Sequence, residues 1–482
     1  MTHPRLFLSG LLGGISLLCS LASAADANKK AEAAKAAGAE TLARLATVEH
    51  WKPLFNGTDL TGWQGDTAGY KVADGVLVCE AGAKTLETES EYSDFVFRFE
   101  FKLTESGNNG IGLRVPAGGH AAYDGMEIQV LDDRGERYHA KTEDGKRINQ
   151  LLPTQYHGSL YGAVPALPGF LRPLEEWNEQ VIICIEDHVK VVLNGAVILD
   201  TYLDGIQPVD GSAHPGLKRR SGHLQLAGHN DHVEFRKLEL ADYSASAALP
   251  ESKGDLAAPT GFSPIFNGTD LSGWKGLADN DANKRRALTG DDLAVVQAKA
   301  DENMKAHWSV VDGVLTYDGE GQSLCTAKDY GDFEFYVDWK IPAGADSGIY
   351  LRGTPQIQIW DPWDSRTKDG YPTTPEAWVE AYKTGRNLGS GGLWNNRRAS
   401  NRPLVLADKP IGEWNTFLIR MIGEKVSIWL NGKQVVDRTV LENYWDKEGD
   451  RAIPIARADQ IELQHHGSAL YFKNLYIREI PY

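Results

Sequence analysis

Polar and apolar side chains alternate along the stretch from residue 123 to residue 132. With the two-residue period of a β-strand, Met126, Ile128 and Val130 point to one face, and Glu127 and Gln129 point to the other. A carboxylate can take and return a proton, and an amide can both donate and accept hydrogen bonds. We therefore expect one face of this strand to belong to a core and the other to carry chemistry on a polar substrate.

Other residues are expected on the same polar face. Residues 111–115 form a second alternating strand, and Arg114 would stand beside Glu127 and Gln129 if the two strands pair. Each of these residues also has a structural interpretation, because Glu127 and Arg114 can form an ion pair and glutamines can satisfy backbone groups. Further candidates come from loops, a later strand and the end of the first strand: His157, Tyr161, Gln225 and Asp132, the last of which can equally cap a loop.

The chain contains the same pattern twice. Leu-Phe-Asn-Gly-Thr-Asp-Leu-Thr-Gly-Trp at residues 54–63 returns as Ile-Phe-Asn-Gly-Thr-Asp-Leu-Ser-Gly-Trp at residues 265–274. One fold is therefore written twice. The later correspondences pair Arg114 with Arg352, Gln129 with Gln358, Asp132 with Asp361, and Leu224-Gln225 with Leu463-Gln464.

Short runs rich in Val, Ile, Phe and Tyr, separated by Gly, Asn and Asp turns, fill both copies. They predict an all-β chain made of two tandem jelly-roll β-sandwich domains. We expect residues 49–243 to form the first domain and residues 262–482 the second, with a linker at 244–261. A charged segment with helix propensity at 277–305 is expected to be a helical insertion in the second domain.

The N-terminal residues have the pattern of a secretory signal. Arg5 precedes an apolar run that ends in Ala22-Ser23-Ala24, so we expect residues 1–24 to be removed and the mature protein to be secreted or periplasmic. Residues 25–48 are rich in Ala, Lys and Glu without a clear apolar stripe, and are expected to form a mobile leader, helical or disordered. No other apolar run is long enough to span a bilayer.

Charge and cysteine content limit the possible partners. A formal charge of −16 over 482 residues argues against binding to nucleic acid, so a neutral partner fits better. Cys79, Cys184 and Cys325 remain after signal removal, which is too few for a disulfide framework, although a Cys79–Cys184 bridge stays open. No cofactor is certain. A divalent metal ion is one alternative, suggested by a group of histidines that has no recognised ligand spacing: His157, His223, His229 and His232.

The two copies differ at the strand that carries Glu127, because the second copy has Gln356 there. An amide can hydrogen-bond to hydroxyl groups but cannot exchange a proton near neutral pH, so we expect catalysis in the first domain. His466-Gly467 stands where the first copy has Ala227-Gly228, so His466 or Asp361 is a possible base if the second domain is active too. Substrate-binding residues of the second domain are expected to be Arg352, Gln358, Trp360, Asp361, Gln464 and His466, with Trp363 and Trp394 from adjacent loops.

The repeated phrases resemble the bacterial 3-keto-disaccharide hydrolase family. The resemblance lies in the opening Phe-Asn-Gly-Thr-Asp-Leu-x-Gly-Trp, the Gly-Ile-x-Leu-Arg and Glu-x-Gln-x-Leu-Asp strands, Glu-Trp-Asn, Leu-Asn-Gly and the final Leu-Gln strand. It implies a concanavalin-like jelly roll similar to laminarinases. It also implies an oligosaccharide or glycoside substrate as the partner, and cleavage of a glycoside that is already oxidised to a ketone at C3.

For such a substrate, a base removes the hydrogen on C2, the enolate expels the glycosidic oxygen from C1, and water adds back. We assign proton transfer to Glu127, with His157 as the alternative base, and stabilisation of the enolate to Arg114 or a divalent ion. Substrate binding is assigned to Gln129, Asp132, Tyr161 and Gln225. The alternative function is a noncatalytic, lectin-like carbohydrate-binding protein, because the fold alone does not separate the two.

Overall fold

The computed structural model describes residues 12–146, 148–209, 211, 213–244, 258–354, 356–362, 389–397, 400–451 and 453–480, with side chains from Asp26 onward. The chain divides into two units between residues 245 and 246. This division falls inside the segment 244–261 that is expected to be a linker, of which residues 245–257 lie outside the described residues.

The described residues of the first unit form one long α-helix, two single-turn α-helices, three 3₁₀ turns (Thr67–Gly69, Pro153–Gln155 and Pro215–Lys218) and thirteen strands. The helices are α1 (Leu12–Leu45), α2 (Ala121–Asp124) and α3 (Glu136–His139). The strands are β1 (Lys52–Pro53), β2 (Trp63–Gly65), β3 (Tyr70–Ala73), β4 (Val76–Cys79), β5 (Thr85–Tyr92), β6 (Phe95–Leu103), β7 (Asn108–Val115), β8 (Met126–Leu131), β9 (Asn178–Ile185), β10 (His188–Leu193), β11 (Ala196–Tyr202), β12 (Gly222–Ala227) and β13 (Val233–Asp242).

The second unit repeats this arrangement and adds a helical insertion. Its helices are α4 (Ala282–Ala287) and α5 (Gly290–His307). Its strands are β14 (Ser263–Pro264), β15 (Trp274–Gly276), β16 (Trp308–Val311), β17 (Val314–Tyr317), β18 (Leu324–Thr326), β19 (Phe333–Lys340), β20 (Asp346–Leu351), β21 (Gln356–Trp360), β22 (Asn415–Ile422), β23 (Lys425–Leu430), β24 (Lys433–Val440), β25 (Ile461–Leu463) and β26 (Leu470–Glu479).

Each unit contains an eight-stranded and a five-stranded antiparallel sheet. In the first unit the five-stranded sheet has the order β2-β5-β12-β7-β8, and in the second it has the order β15-β18-β25-β20-β21. The larger sheets have the orders β11-β10-β9-β6-β13-β4-β3 and β16-β17-β26-β19-β22-β23-β24, with β1 and β14 paired to β13 and β26. The prediction of an all-β chain with two tandem jelly-roll sandwich domains is confirmed.

The core of the first domain follows the two-residue period of the strands. Met126, Ile128 and Val130 of β8 are buried in it, together with Phe97 and Phe101 of β6 in the other sheet. The apolar faces of the two sheets therefore pack against each other, and the alternating residues of the five-stranded sheet point to its opposite face. The alternation predicted for the Glu127 strand is confirmed.

Helix α1 packs on the first domain. Ala34, Thr41 and Leu45 are buried, and Gly38 approaches β11 so closely that a Cβ atom there would lie 2.1 Å from the carbonyl oxygen of Gly195. The described part of the leader is therefore a packed helix, which corrects the expectation of a mobile segment. Among the described residues, no helix has both the length and the apolar character that are required to cross a bilayer.

The helical insertion of the second domain lies along the edge strand β15. The Gln297 side chain donates a hydrogen bond from Nε2 to the Gly276 carbonyl at 2.8 Å, and Met304 is buried. Helix α5 therefore protects the exposed edge of the five-stranded sheet.

The described cysteines, Cys79, Cys184 and Cys325, are all buried free thiols. The Cys79–Cys184 bridge that the sequence leaves open is therefore not formed.

Candidate active site

One row of residues crosses the whole five-stranded sheet of the first domain. In successive strand pairs, Gln64 lies opposite Glu87, Glu87 opposite Gln225, Gln225 opposite Gly112, and Gly112 opposite Glu127. Side chains that lie opposite each other in an antiparallel pair project to the same face. We call the face that carries this row the first polar face.

Glu127 is held against a histidine that the sequence reasoning did not pair with it. Its carboxylate is 2% exposed and lies over Gly110, where a Cβ atom would be 2.0 Å from Oε1. His229 Nε2 lies 3.3 Å from Glu127 Oε1, and the His229 side chain is 37% exposed. The hydrogen bond to Glu127 raises the pKa of His229, in spite of partial burial. The two side chains form a carboxylate–imidazole pair that can hold and move a proton.

Two amide oxygens flank this pair without a partner. Gln129 donates from Nε2 to Asn108 Oδ1 at 2.8 Å, and Gln225 donates from Nε2 to Glu87 Oε2 at 2.9 Å. Among the described residues, neither Gln129 Oε1 nor Gln225 Oε1 has a hydrogen-bond partner, although both atoms are buried. A buried acceptor without a donor is unfavourable, so a ligand with hydroxyl groups would satisfy both atoms.

Tyr161 lies directly beside Glu127. Leu160 forms a bridge with Ile128, and the Tyr161 N–H donates to the Glu127 carbonyl at 2.9 Å. The Tyr161 hydroxyl accepts a hydrogen bond from Gln155 at 3.0 Å. The chain that passes the edge of the sheet therefore adds an aromatic ring to the first polar face.

Arg114 does not belong to this face, which corrects its expected catalytic role. Between the pairs His223–Val115 and Gln225–Gly112, β7 has two residues where β12 has one, which is a β-bulge. Arg114 is one of the two residues and has a φ of +52°. Its fully buried guanidinium donates to the carbonyl groups of Ser93 and Glu186 at 2.6 and 2.7 Å and to Asp94 Oδ1 at 3.1 Å. The bulge turns the arginine away from Glu127, so that it clamps two loops together.

His157 is also a structural residue. Its ring stacks on Phe101 of the core, Nδ1 accepts the Leu131 N–H at 3.2 Å, and Nε2 lies 2.9 Å from Gln180. Burial lowers the pKa of His157 to about 4. The ring is therefore neutral, occupied at both nitrogens and directed into the core, which excludes it as the alternative base.

Asp132 and Asp361 cap equivalent loops rather than face a substrate. Asp132 Oδ2 accepts the Ser106 N–H at 3.0 Å, and Asp361 Oδ2 accepts the Gly344 N–H at 2.8 Å. The expected substrate-binding role of both residues is wrong in this geometry, and the loop-capping interpretation applies.

The second five-stranded sheet has an equivalent row of residues. Lys275, Cys325, Glu462, Tyr350 and Gln356 lie opposite one another in successive strand pairs. We call this side of the sheet the second polar face. Gln356 is the counterpart of Glu127, as the sequence predicts, and it lies over Gly348 as Glu127 lies over Gly110.

The register changes one correspondence between the two copies. Glu462 is the counterpart of Gln225, so Gln464 corresponds to Ala227 and His466 corresponds to His229. The pairing of Leu224-Gln225 with Leu463-Gln464 is therefore wrong by two residues. Both domains have the histidine, followed by a residue in the left-handed region: Asn230 (φ +66°) and Gly467 (φ +73°).

The predicted binding residues of the second domain fall into two groups. Gln358, Gln464 and Trp360 lie at the second polar face: Gln358 donates to Asp346 at 2.6 Å, Gln464 accepts from Gln356 at 2.6 Å, and Trp360 lies opposite Asp346. His466 Nδ1 lies 3.2 Å from Asp346 Oδ2. Trp363 lies outside the described residues.

Arg352 is not a binding residue of this face. Its buried guanidinium donates to the carbonyl groups of Gly331 and Gly423 at 2.9 and 2.7 Å and pairs with Asp332. It has a φ of +49° directly after the end of β20, and its contacts repeat the clamp of Arg114.

The second polar face also contains a carboxyl group that the sequence reasoning missed. Burial raises the pKa of Glu462 to about 7, although the charge of Arg285 acts in the opposite direction. Arg285 comes from α4 of the insertion, is buried, and lies 3.6 Å from Asp459. The error of two residues in the correspondence hid Glu462, because it assigned its place to Gln464.

The four histidines that suggested a metal ion contact four different partners. His157 contacts Gln180, His223 Nδ1 lies 2.7 Å from the Thr88 carbonyl, His229 contacts Glu127, and His232 Nε2 lies 3.2 Å from Glu234. Within the described part of the chain, no three His, Cys, Asp or Glu side chains are grouped so that they could hold a metal ion.

Comparison with known proteins assigns the family. Residues 50–241 and 261–478 each match the family described as the 3-keto-alpha-glucoside-1,2-lyase-like domain. The chain belongs to this family. A 3-keto-disaccharide hydrolase from Bacteroides thetaiotaomicron is 22% identical over 260 residues, which cover 45% of this chain and 78% of that protein.

Solved structures match over the length of about one domain. A proposed glycosyl hydrolase from Parabacteroides distasonis is 26% identical with a TM-score of 0.36, and the match covers 42% of this chain and 96% of that one. A laminarinase from Flavobacterium sp. UMI-01 is 11% identical with a TM-score of 0.25, covering 41% of this chain and 100% of that one.

Proposed function

We propose that this protein is a glycosidase-type hydrolase whose first domain cleaves the glycosidic bond of a 3-keto-glycoside or 3-keto-disaccharide by elimination followed by hydration. The observation that carries the proposal is the buried Glu127 carboxylate beside His229, between two amide oxygens that have no partner among the described residues. Membership of the 3-keto-alpha-glucoside-1,2-lyase-like family supports the substrate class.

The reaction needs a base, a positive group and contacts to hydroxyls. A ketone at C3 acidifies the hydrogen on C2, and Glu127 takes this proton while the electron pair moves to the ketone oxygen. The C1–oxygen bond then breaks, and the protonated Glu127 returns its proton to the departing oxygen. Water adds to the resulting unsaturated ketone, so that the net reaction is hydrolysis.

With Arg114 turned away, His229 is the residue that we assign to the developing enolate. Its raised pKa favours the imidazolium form, which can donate a hydrogen bond to a negative oxygen beside the buried Glu127 carboxylate. Gln129 and Gln225 would accept hydrogen bonds from sugar hydroxyls through their Oε1 atoms. Tyr161 would provide an aromatic surface at the edge of the sheet.

The arrangement does not favour an ordinary two-carboxylate glycosidase. Glu87 shares the row with Glu127, but two strands lie between them, which separates their backbones by about 14 Å at a spacing of about 4.8 Å per strand. Carboxyl groups in such enzymes are about 5–5.5 or 6.5–9.5 Å apart. The Glu87 oxygens also accept hydrogen bonds from Gln64, Gln225 and the Gly118 N–H, so Glu87 positions Gln225.

The test is Glu127→Gln in the full chain, assayed with 3-keto-glucosides beside their unoxidised parents. The substitution keeps the shape of the side chain and removes proton exchange, so turnover should fall about 10²–10⁴-fold with binding largely kept. The matched control is Glu87→Gln, because it also removes one buried carboxylate from the face. It should mainly raise KM, since it releases Gln225. Near-normal turnover of every 3-keto-glucoside by Glu127→Gln would refute the assignment.

A deuterium label at C2 of the substrate tests whether the bond is cleaved by elimination. A substrate with deuterium at C2 should lose the label to solvent as it is cleaved, and complete retention would exclude elimination. Binding without turnover of any keto-glycoside would instead support the lectin-like alternative.

We also propose export to the periplasm or the medium. The basic and apolar residues before Ala22-Ser23-Ala24 support this. The intact mass of the mature protein from a cell expressing the full chain should correspond to cleavage near residue 24, whereas an uncleaved cytosolic protein would contradict export.

A further inference from the structure

The second polar face has its own carboxylate–imidazole pair. His466 Nδ1 lies 3.2 Å from Asp346 Oδ2, compared with 3.3 Å between His229 Nε2 and Glu127 Oε1 in the first domain. His229 lies four residues after Gln225, and His466 lies four residues after Glu462. Gln225 and Glu462 are the residues that β12 and β25 contribute to the two rows. The two histidines are therefore equivalent, and each has a carboxylate as its partner.

A carboxylate and an amide have exchanged places between the two faces. The first face has Glu127 and Asn108, whereas the second has Gln356 and Asp346 at the corresponding positions of the sheet. In both domains the neighbouring glutamine donates to the second of these positions, at 2.8 Å to Asn108 and at 2.6 Å to Asp346. The chemical groups are thus the same, and only the strand that carries the carboxylate differs.

This exchange keeps a carboxylate within reach of the histidine. The change to Gln356 alone would leave His466 without an acid, and Asp346 supplies one from the adjacent strand. Burial raises the pKa of Asp346, which brings it closer to the range useful for proton transfer. A face that only bound sugars would not require a matched acid at either position.

Two aromatic rings lie on the same face as this second pair. The backbone N–H of Trp394 donates to the Gln356 carbonyl at 3.1 Å, as the backbone N–H of Tyr161 donates to the Glu127 carbonyl. Trp394 therefore has the place beside Gln356 that Tyr161 has beside Glu127. Its side chain is 51% exposed, and its ring meets that of Trp360 edge-on at 5.3 Å between centroids. An exposed indole supported by a second ring is a suitable platform for the apolar face of a sugar.

We propose that the second domain is a second active site, in which Asp346 and His466 perform the proton transfer and the Trp360–Trp394 pair binds the sugar ring. The inference rests on the proposed function, because the substrate class is the same, a 3-keto-glycoside. Asp346 takes the C2 proton, the electron pair moves to the ketone oxygen, the C1–oxygen bond breaks, and Asp346 returns the proton to the departing oxygen.

The displaced carboxylate implies a different preference for the glycosidic bond. Asp346 lies on β20, one strand away from the position of Glu127 in the equivalent sheet and four residues further along it, so its backbone is displaced by about 4.8 Å across the strands and about 13 Å along them. The reacting hydrogen must therefore lie at a different place relative to the aromatic ring beside the edge strand. We expect the two domains to prefer different anomers or leaving groups.

The experiment uses the full chain with the first site inactivated by Glu127→Gln. A panel of 3-keto-glucosides that differ in anomer and leaving group is assayed with this protein and with the same protein carrying Asp346→Asn or His466→Asn. Cleavage of at least one substrate should remain in the parent variant and fall about 10²–10⁴-fold in either double variant. The matched control is Asp318→Asn, because Asp318 pairs with His307 at 2.9 Å outside the five-stranded sheet. It should leave the remaining rate unchanged.

Three outcomes decide the matter. Remaining cleavage that depends on Asp346 and His466 supports the second site. Loss of all cleavage in Glu127→Gln, or remaining rates that neither second-domain substitution affects, overturns it while the wild-type activity stays intact. No cleavage by the wild-type protein refutes the proposed function itself and this inference with it, so the two failures are distinguishable. Melting curves of each variant exclude unfolding as the cause.

Discussion

The two polar faces stand on the same five-stranded sheet, yet they place their acidic groups on different strands. The first has Glu127 on the edge strand β8 and Glu87 on β5, whereas the second has Asp346 on β20 and Glu462 on β25. In both, a histidine after the third strand of the sheet meets one of these carboxylates. The difference shows that two copies of one sheet can have the same set of groups, a carboxylate, an amide and a histidine, with the carboxylate on a different strand in each copy.

What does not differ is the framework beneath these groups. Arg114 and Arg352 each have a positive φ value and clamp the loops around Asp94 and Asp332. Gly110 and Gly348 each leave the space that is occupied by the side chain of the adjacent edge strand. Conserved geometry in the two halves therefore marks the scaffold, and the exchanged residues mark the chemistry.

The largest effect is expected at the clamps. Arg114→Met in the full chain leaves Asp94 without its guanidinium partner and removes several hydrogen bonds from a fully buried group. The free energy of unfolding of the first domain should fall by about 3–5 kcal/mol, as for other broken buried ion pairs. Denaturant titration followed by circular dichroism measures this change.

The second half provides the comparison for this prediction. Arg352→Met should have an effect of the same size on the second domain, because its contacts repeat those of Arg114. Lys71→Met serves as the control, since Lys71 forms an exposed pair with Glu80 at 3.3 Å and should contribute no more than about 1 kcal/mol. If Arg114→Met changes stability no more than Lys71→Met, the arginine is not a structural clamp.

The fold, and the face of the sheet to which each side chain of a strand points, can be predicted from the sequence, because both depend on the period at which apolar residues recur. The sequence identified Glu127 and Gln129 as neighbours on a polar face for the same reason. It failed for Arg114, because one inserted residue reverses the direction of a side chain and a positive φ at arginine leaves no sign in the sequence. Period-based reasoning is therefore reliable only up to the first bulge.

Loop residues were beyond this kind of reasoning. His229 follows the end of β12, where no period applies, and the recurring Leu-Gln pair suggested a correspondence that was wrong by two residues. Aligning the two histidines instead would have revealed both His229 and Glu462. His157 looked equally suitable by type, and only its burial against Phe101 shows that it belongs to the core.

A smaller effect is expected on the pH dependence of turnover by the first polar face. The pKa of His229 is raised by Glu127 above its ordinary value of 6.5, so the imidazolium form and the stability that it contributes are complete below 6.5 and are lost as pH rises through the raised value. With Asp346→Asn present to silence the second face, turnover should fall about tenfold per pH unit above that raised pKa. Steady-state rates from pH 5 to about 9 measure this limb.

Removing the histidine sharpens the same prediction. His229→Asn should lower turnover and abolish the alkaline limb, because no group of raised pKa remains beside Glu127. The control is His232→Asn, since His232 pairs at 3.2 Å with Glu234 on β13 of the eight-stranded sheet and should leave the pH profile unchanged. An alkaline limb that persists in His229→Asn would assign it to another group.

The smallest effect is expected at the aromatic rings of the second face. The exposed Trp394 ring can stack on a sugar, whereas Trp360 is partly covered and its indole N–H is bound to the Gly389 carbonyl at 2.8 Å. Trp394→Ala in the full chain with Glu127→Gln and Asp346→Asn, in which neither face turns over the ligand, should therefore weaken binding of a 3-keto-glucoside at the second polar face about 2- to 10-fold, which corresponds to about 0.5–1.5 kcal/mol for one aromatic contact. Trp394→Phe should restore part of it, because a smaller ring still stacks. Isothermal titration calorimetry gives both values. Trp360→Ala should reduce binding indirectly and also lower the melting temperature, since Trp360 supports the Trp394 ring. If the chain with Trp394 and the chain with Trp394→Ala bind the 3-keto-glucoside equally well, the sugar lies elsewhere on the second polar face.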